Sequence, residues 1–232
     1  INWIPSSLNL SNYIQAAKSM DFWKSLTQSF IIAGIPTLCN LISCSLIGYG
    51  LAMFDFPGKK VIMAILVFSF ILPDQVTMIP TFIIWSSLGL TDNYTPLILP
   101  AYFGSASFIF FLKMYFETFP KDYEESALID GANHLQIFVR IFIPLAKPAL
   151  ITIALWAFMG TWNDLLGQLI YINDPVKYTI QLGLASFNSL SGEILWGPLM
   201  AASFIALVPI IAILLYAQKY FIEGVKMTGI KG

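Results

Sequence analysis

The amino-acid sequence predicts an all-α membrane protein whose helices cross the bilayer several times. Of its 232 residues, 57% are hydrophobic and only 11% are charged, whereas soluble domains carry about 25% charged residues. One uncharged apolar run extends over residues 25–54, which is longer than the roughly 20 residues that a transmembrane helix needs. The net charge of −1 and the absence of a basic stripe in the sequence argue against nucleic-acid binding.

Five transmembrane spans are predicted along the chain. They are residues 25–54, 61–88, 96–116, 144–166 and 197–220. Pro36 is expected to bend the first span, and Pro73 and Pro80 are expected to interrupt the second. The chain opens without an initiator Met or a signal-peptide pattern, so we expect it to begin partway through a longer protein, after a further span.

The segments outside the spans are polar. The loops between spans are residues 55–60, 89–95, 121–144 and 167–196. Residues 1–24 mix polar and aromatic side chains and are expected to lie along the membrane surface, and residues 221–232 form a C-terminal tail. The loop at residues 121–144 carries the densest charge and is called the connector below.

The distribution of Lys and Arg predicts the orientation. When the loop at 55–60, the connector and the tail are placed on one side of the membrane, the other side holds only Lys18, Lys24 and Lys177 of the 12 basic residues. Basic residues in short loops concentrate on the cytoplasmic side. The connector and the C-terminus are therefore expected in the cytoplasm.

Two helix starts are predicted within the connector. Asp122 is followed three residues later by Glu125, and Asn133 is followed three residues later by Gln136. Each pair fits a capping box, in which the two side chains bind backbone N–H groups that the first turn of a helix leaves unpaired.

A bend is predicted between these two short helices. Gly131 lies between them and takes positive φ at little cost, so it can end the first helix and redirect the chain. Pro144 is expected to stop the second helix or to pass it on to the next span. Each helix is about 15 Å long, too short to cross a bilayer of about 30 Å. A charged, bent helix pair between two spans suits docking onto a partner.

The cysteines and the histidine indicate no metal site or disulfide. Cys39 and Cys44 lie in one apolar run, off a shared helix face, and are expected to be buried thiols. The only histidine, His134, lies in the connector and is expected to make a polar contact.

The sequence offers little support for catalysis. It contains no Gly-rich phosphate loop, so any ATP would be hydrolysed by another chain. Asp74 and Asp164 leave an intramembrane aspartyl protease formally open, although their predicted depths differ by about 10 Å. A channel or receptor is a further alternative, but neither would need the connector.

The connector resembles the EAA loop of binding-protein-dependent ABC importer permeases. That loop has the pattern E-A-A, three residues, G, nine residues, then I-x-L-P. The matching positions are Glu125, Ser126, Ala127, Gly131, Ile141, Ile143 and Pro144. Both spacings are kept, with Ser in place of one Ala and Ile in place of the Leu.

Four further stretches are similar to the carbohydrate-uptake subfamily of these permeases, in particular to the smaller maltose-type subunit. They are residues 56–60, 73–80, 161–164 and 224–232. The resemblance implies a six-span, non-catalytic permease subunit in the bacterial cytoplasmic membrane that carries a carbohydrate, for which an oligosaccharide is favoured and another small polar solute is the alternative. It also implies a second permease subunit, two ATPase subunits that use ATP and Mg, and an extracytoplasmic sugar-binding protein, with no cofactor bound by this chain.

The resemblance assigns an ATPase-coupling role to part of the connector. The residues expected to take part are Glu124, Glu125, Ser126, Ala127, Asp130, Gly131, Arg140 and Pro144. Acidic residues in the first turn of a helix are also favoured by the helix dipole, by about 0.3–1 kcal/mol. Dipole stabilisation is therefore the alternative role for Glu124 and Glu125.

A translocation pathway is predicted where polar residues interrupt apolar spans. The candidates are Asp74, Gln75, Thr77, Trp162, Asn163 and Asp164. An aspartate within the bilayer costs roughly 2.5–3.5 kcal/mol, so Asp74 indicates either a water-lined path or a polar clasp between helices. Asp164 is predicted near the outer surface, where it could simply mark the end of a span. Alternatively, Trp162, Asn163 and Asp164 together offer an aromatic face and hydrogen-bonding groups of the kind that bind sugar hydroxyls. The other half-permease could hold most of the substrate site.

Overall fold

The computed structural model describes residues 10–187 and 196–228, with the backbone alone described at residues 19, 70, 74 and 219–228. Throughout these ranges the chain forms helices joined by turns, without a β-strand. The predicted all-α fold is thereby confirmed. The predicted surface location of residues 1–24 falls partly on residues outside the described ranges.

Six α-helices precede the connector. They are α1 (Ser11–Ser19), α2 (Phe22–Met53), α3 (Lys59–Ile71), α4 (Asp74–Ser87), α5 (Thr95–Ile98) and α6 (Ala106–Phe116). A 3₁₀ helix, Leu99–Phe103, follows α5 directly, and Gly104 with a φ of +80° separates it from α6.

Seven α-helices form the connector and the part of the chain after it. They are α7 (Asp122–Ile129), α8 (His134–Ile137), α9 (Ile143–Leu145), α10 (Lys147–Trp162), α11 (Leu166–Tyr171), α12 (Ile180–Ser186) and α13 (Trp196–Thr228). A π-helical turn, Phe138–Phe142, joins α8 to α9, and a 3₁₀ turn, Pro175–Lys177, precedes α12.

The number of membrane spans differs from the prediction. Three described stretches are long and apolar enough to cross a membrane: Phe22–Met53, Thr95–Phe116 and Trp196–Gln218. A fourth span results only if His134–Leu145 and Lys147–Trp162, which meet at a bend of 77°, are counted together. The predicted count of five is therefore not confirmed.

Prolines account for part of this difference. At Pro73 the chain leaves the helical conformation, so that α3 and α4 are separate helices of 13 and 14 residues, as the sequence predicts. Pro80 lies inside α4, so the prediction of a second interruption is wrong. Pro36 lies inside α2, which continues through it, and the predicted bend there stays a prediction. A helix in an apolar environment tolerates proline where neighbouring groups satisfy the freed backbone atoms.

Helix α2 lies at the centre of the fold and packs against both α6 and α10. One buried cluster surrounds Tyr49, near the C-terminal end of α2, and also contains Phe116, Phe138 and Phe142. A second buried cluster surrounds Trp162 at the other end of the helix. The two clusters give α2 a packed environment at each end.

Gly48 allows α2 and α6 to approach closely. A Cβ atom at residue 48 would lie 3.0 Å from Leu112 Cβ and 3.2 Å from the backbone nitrogen of Lys113. Neither atom belongs to a flexible side-chain end that could move aside. The close packing of the two helices therefore favours glycine at this position.

The matched pair Gly48→Ala and Gly50→Ala tests this packing. We expect Gly48→Ala to lower the free energy of unfolding by about 1–3 kcal/mol, because the added methyl overpacks the helix contact. A Cβ atom at residue 50 would meet nothing within 4 Å, so Gly50→Ala should leave stability unchanged or raise it by up to about 1 kcal/mol. Unfolding in mixed micelles measures both variants, and equal effects would contradict the assignment.

Candidate functional site

The first helix of the connector, α7, starts at Asp122, so its cap position is Lys121, one residue before the predicted cap. Lys121 already has helical φ and ψ, and its carbonyl accepts hydrogen bonds from the backbone N–H groups of Glu124 and Glu125. Asp122 therefore lies inside the first turn and does not cap the helix. The predicted capping box of Asp122 and Glu125 is wrong, although both acids remain in the turn where the helix dipole favours them.

Gly131 ends α7 as predicted. Its φ is +82°, and its N–H donates to the carbonyl of Leu128 at 3.0 Å. The N–H of Ala132 donates to the carbonyl of Ala127 at 2.9 Å. These two hydrogen bonds form a Schellman motif, which requires a left-handed residue at the position of Gly131.

The second helix of the connector begins with the predicted capping box. The backbone N–H of Gln136 donates to Asn133 Oδ1 at 2.8 Å, and the backbone N–H of Asn133 donates to Gln136 Oε1 at 2.9 Å. The cap fixes the direction in which α8 leaves the bend at Gly131.

Pro144 does not end this second helix. The chain stays helical through the π turn and α9 to Leu145, and it bends by 77° only where α10 begins. In the π turn, the N–H of Ile143 donates to the carbonyl of Phe138, five residues back. The widened turn precedes the proline, which has no N–H to donate.

The inner face of the connector is anchored in the cluster around Tyr49. Ala127, Ile137, Phe138 and Phe142 are all buried there. The ring centroid of Tyr49 lies 5.0 Å from that of Phe138 and 5.1 Å from that of Phe142. The connector is therefore packed directly onto α2.

The outer face of the connector is exposed. Most of the residues that the resemblance assigns to ATPase coupling lie there, namely Glu125, Ser126, Asp130, Gly131, Arg140 and Pro144. Two large apolar side chains accompany them, since Ile129 is 86% exposed and Leu135 is 65% exposed. Ala127 is the coupling candidate that lies on the buried side.

Glu124 differs from its neighbour Glu125. Its carboxylate is only 15% exposed and lies 3.4 Å from Nδ1 of His134, which begins the second helix of the connector. The imidazole in turn meets the ring of Phe54 edge-on, with centroids 4.9 Å apart. Glu124 and His134 thus join the two connector helices to each other and to the end of α2, and His134 makes the polar contact that the sequence predicts.

A variant at Asn133 tests the cap. Asn133→Ala removes the acceptor of the Gln136 N–H, and we expect a loss of about 1 kcal/mol in stability. Amide hydrogen exchange should show reduced protection at Gln136 and no change at Ile153 in α10. Asn133→Asp keeps the acceptor and serves as the control, and equal protection of Gln136 in all three proteins would contradict the role of the cap.

A second candidate site is a cavity of about 660 Å³ between α4, α5, α10 and α11. Its lining combines polar and apolar residues: Gln75, Thr77, Met78, Thr81, Pro96, Leu97, Pro100, Gly160, Thr161, Asp164, Leu166, Gly167 and Tyr171. Three predicted pathway residues, Gln75, Thr77 and Asp164, therefore line one cavity. The side chain of Asp74 lies outside the described part of the structure.

Trp162 and Asn163 do not line this cavity. Trp162 is only 2% exposed, and its ring lies 5.1 Å from Phe30 and 5.3 Å from Phe158, measured between centroids. Asn163 donates from Nδ2 to the carbonyl of Met159 at 2.8 Å. Both line a separate cavity of about 180 Å³, so the structure does not bring the three neighbouring residues 162–164 into one site.

The carboxylate of Asp164 is held in place by the start of α11. Its Oδ1 accepts a hydrogen bond from the backbone N–H of Gly167 at 2.9 Å. A Cβ atom at residue 167 would collide with this carboxylate. Glycine at 167 therefore allows Asp164 to lie against the backbone while it lines the cavity.

A third cavity, of about 560 Å³, shares Gln75 with the one at Asp164. Its other lining residues are Ser69, Leu72, Pro73, Ser105, Ala106 and Ser107. Sequence reasoning missed the hydroxyl residues Ser69, Ser105 and Ser107, as well as Thr81 and Thr161 in the first cavity. The available signal was a set of hydroxyls within apolar spans, but such side chains often bond only to their own helix, as Ser69 does to the carbonyl of Ile65.

A hydrogen-bonded clasp holds together the loops beside the larger cavity. Asp92 pairs with Lys177 and accepts from the backbone N–H groups of Asn173 and Asp174, each at 3.0 Å. The Tyr94 hydroxyl donates toward Gln28 of α2 at 2.6 Å. The clasp thus connects the chain just before α5 with the chain just after α11.

The clasp shifts the pKa values of two of its members, Asp92 and Tyr94. The hydrogen bond from Lys177, followed by those from the backbone N–H groups of Asp174 and Asn173, lowers the pKa of Asp92 to about 2. Burial, together with the charges of Asp92 and Asp174, raises the pKa of Tyr94 to about 12. Both groups therefore keep one charge state across the physiological range.

The pH dependence of stability tests the clasp. Because the pKa of Asp92 is lower in the folded than in the unfolded chain, its contribution is fully present above about pH 5 and is lost as the pH falls toward 2. We expect the difference in Tm between the parent and Asp92→Asn to be constant from pH 8 to pH 5 and to shrink below pH 4. In a Lys177→Met background the difference should be smaller at every pH, and a difference that grows on acidification would contradict the clasp.

The fold and these sites define a helical membrane protein with a connector that is buried on one face and exposed on the other, and with polar cavities between its helices. Residues 45–227 match the family described as "Binding-protein-dependent transport system inner membrane component". This chain belongs to that family, which comprises the non-catalytic permease subunits of ABC transporters.

Comparisons with individual proteins agree with this assignment. The chain is 35% identical to the arabinooligosaccharides transport system permease protein AraQ of Bacillus subtilis, over 91% of this chain and 74% of AraQ. It is 32% identical to the trehalose/maltose transport system permease protein MalG of Thermococcus litoralis, over 96% of this chain and 81% of MalG. It also resembles a chain of a bacterial ABC transporter involved in the import of the acidic polysaccharide alginate, with a TM-score of 0.83, 27% identity, and coverage of 94% of this chain and 81% of the other. The predicted resemblance to binding-protein-dependent carbohydrate permeases is confirmed.

Proposed function

We propose that this chain is one permease subunit of an ATP-driven importer and forms half of the path by which an oligosaccharide crosses the cytoplasmic membrane. The observation that carries the proposal is the two-sided connector, whose inner face is buried against α2 and whose outer face is exposed. The names of the similar permeases AraQ and MalG support a carbohydrate as the transported solute.

The partners follow from the same proposal. Two ATPase subunits bind ATP and Mg and dock on the connector, a second permease subunit completes the path, and an extracytoplasmic sugar-binding protein delivers the solute. The exposed Ile129 and Leu135 suit such docking, because the fully buried core of a protein interface is more apolar than its rim.

The positions of the loops support a cytoplasmic connector. The ring contact between Phe54 and His134 places the loop at residues 55–60 beside the connector, at one end of α2. Gln28 donates to the carbonyl of Val176, which places the segment with Lys177 at the other end. Lys59 and Lys60 are therefore near one end of α2 and Lys177 is near the other, which supports the proposed orientation.

The connector transmits force through its rigid parts. When the ATPase subunits close on ATP, α7 moves with the groove that holds it, and the Schellman motif at Gly131 passes this motion to the second connector helix. The packing of Phe138 and Phe142 on Tyr49 then carries it to α2. Coupling energies between sites are typically about 1–3 kcal/mol, so a loss of rigidity at the bend would be enough to uncouple them.

Gly131→Val tests this coupling in the assembled transporter. Space is open around residue 131, but its φ of +82° is strained for any residue with a β-branched side chain. We expect the complex to assemble and to hydrolyse ATP at a rate that no longer rises when the binding protein is added. Gly131→Asn is the control, because Asn tolerates positive φ and should keep most of the stimulation.

Two results would count against the proposal. Normal transport by Gly131→Val would show that the bend has no coupling role. A purified assembly that contains no ATPase subunit would exclude the importer as a whole.

A further inference from the structure

Two cavities share Gln75 as a lining residue, and both carry uncharged polar groups; together they are called the lane below. In the cavity of about 660 Å³, these groups are the Gln75 amide and the hydroxyls of Thr77, Thr81, Thr161 and Tyr171. In the cavity of about 560 Å³, they are the hydroxyls of Ser69, Ser105 and Ser107. Amides and hydroxyls both donate and accept hydrogen bonds, and so they match the hydroxyl groups of a sugar.

One charged group interrupts this lane. Among the described residues that line the two cavities, Asp164 is the only acid, and none is Lys, Arg or His. Asp74, next to Gln75 in the sequence, is itself an acid and cannot supply a cation. The fixed charge of the lane is therefore negative.

The carboxylate of Asp164 is hydrogen-bonded to the backbone where it lines the lane. Oδ1 is held by the N–H of Gly167, and the carboxylate lies directly against the backbone there. A carboxylate has about four sites at which it can accept a hydrogen bond, so sites remain for the hydroxyls of a solute. Neutral sugar hydroxyls can donate to it, whereas a second carboxylate cannot.

We infer that this lane admits uncharged polyhydroxylated solutes and disfavours anionic ones, with Asp164 setting the preference; the inference rests on the proposed permease function. An anionic sugar that enters the lane loses part of its hydration and meets Asp164 with no cation among the described lining residues, and both effects are unfavourable. The transported oligosaccharide is accordingly a neutral one. In this respect the chain differs in solute class from the similar transporter that takes part in importing the acidic polysaccharide alginate.

Thiol labelling of Thr77→Cys measures the preference directly. The complete importer, reconstituted in nanodiscs, is treated with three methanethiosulfonate reagents that are neutral, anionic and cationic, in the resting and in the ATP-bound state. Each rate is divided by the rate of the same reagent with a free thiol in solution. Peptide mass spectrometry assigns the label to residue 77, and the parent protein controls for labelling at Cys39 and Cys44.

We expect the anionic reagent to react about three- to tenfold more slowly than the neutral one, and the cationic reagent to react at least as fast as the neutral one. Asp164→Asn should bring the three normalised rates to within about twofold of one another. Asp174→Asn removes an equal charge from a residue that does not line either cavity, and it should leave the anionic reagent slow.

Two other outcomes distinguish the failure of this inference from the failure of the proposed function. If the three reagents react at equal normalised rates, or if the anionic one is fastest, the lane is water-filled but the charge preference is wrong. If no reagent labels Thr77→Cys in either state, the proposed path does not pass this cavity, and the inference is overturned together with it.

Discussion

The packing of Phe138 and Phe142 on Tyr49 is the interaction on which the rest of the structure depends. It joins a short, polar connector to the longest helix before it, and it does so with rings that have few rotatable bonds. Without this contact, α7 and α8 would be two isolated helices of 8 and 4 residues, far below the length at which a helix is stable by itself in water. The connector owes its shape to tertiary packing.

Local chemistry explains which features could be predicted from the sequence. Gly131 and the pair Asn133 and Gln136 act through backbone geometry and hydrogen bonds between near neighbours in the sequence. Their spacing alone was therefore sufficient to predict the bend and the capping box. Asp122 fits the same capping pattern equally well, but Lys121 had already entered the helix. The capping pattern alone cannot show that Asn133 caps its helix and Asp122 does not. The residue at which α7 begins depends on the path of the chain after α6.

The interior was harder to predict because it depends on contacts between distant segments. Gln75 was selected as a polar residue beside Asp74 within an apolar span, and Asp164 was selected as a hydrogen-bonding group near the outer surface; both line the same cavity. Trp162 was selected as an aromatic face for a sugar, but it is buried against Phe30 and Phe158. Ser105 lies against Cys44 because Gly104 lets the chain pass close to the cysteine sulfur, and no local pattern in the sequence encodes that approach.

The length of α2 sets where the connector lies relative to the lipid. Its 32 residues extend for about 48 Å at 1.5 Å per residue, whereas a bilayer measures about 40–45 Å including its headgroups. Even at an average tilt of about 20°, the end of the helix that carries Phe54 reaches the aqueous boundary. In the importer proposed above, an ATPase that docks at this end closes and reopens in water, outside the lipid headgroups.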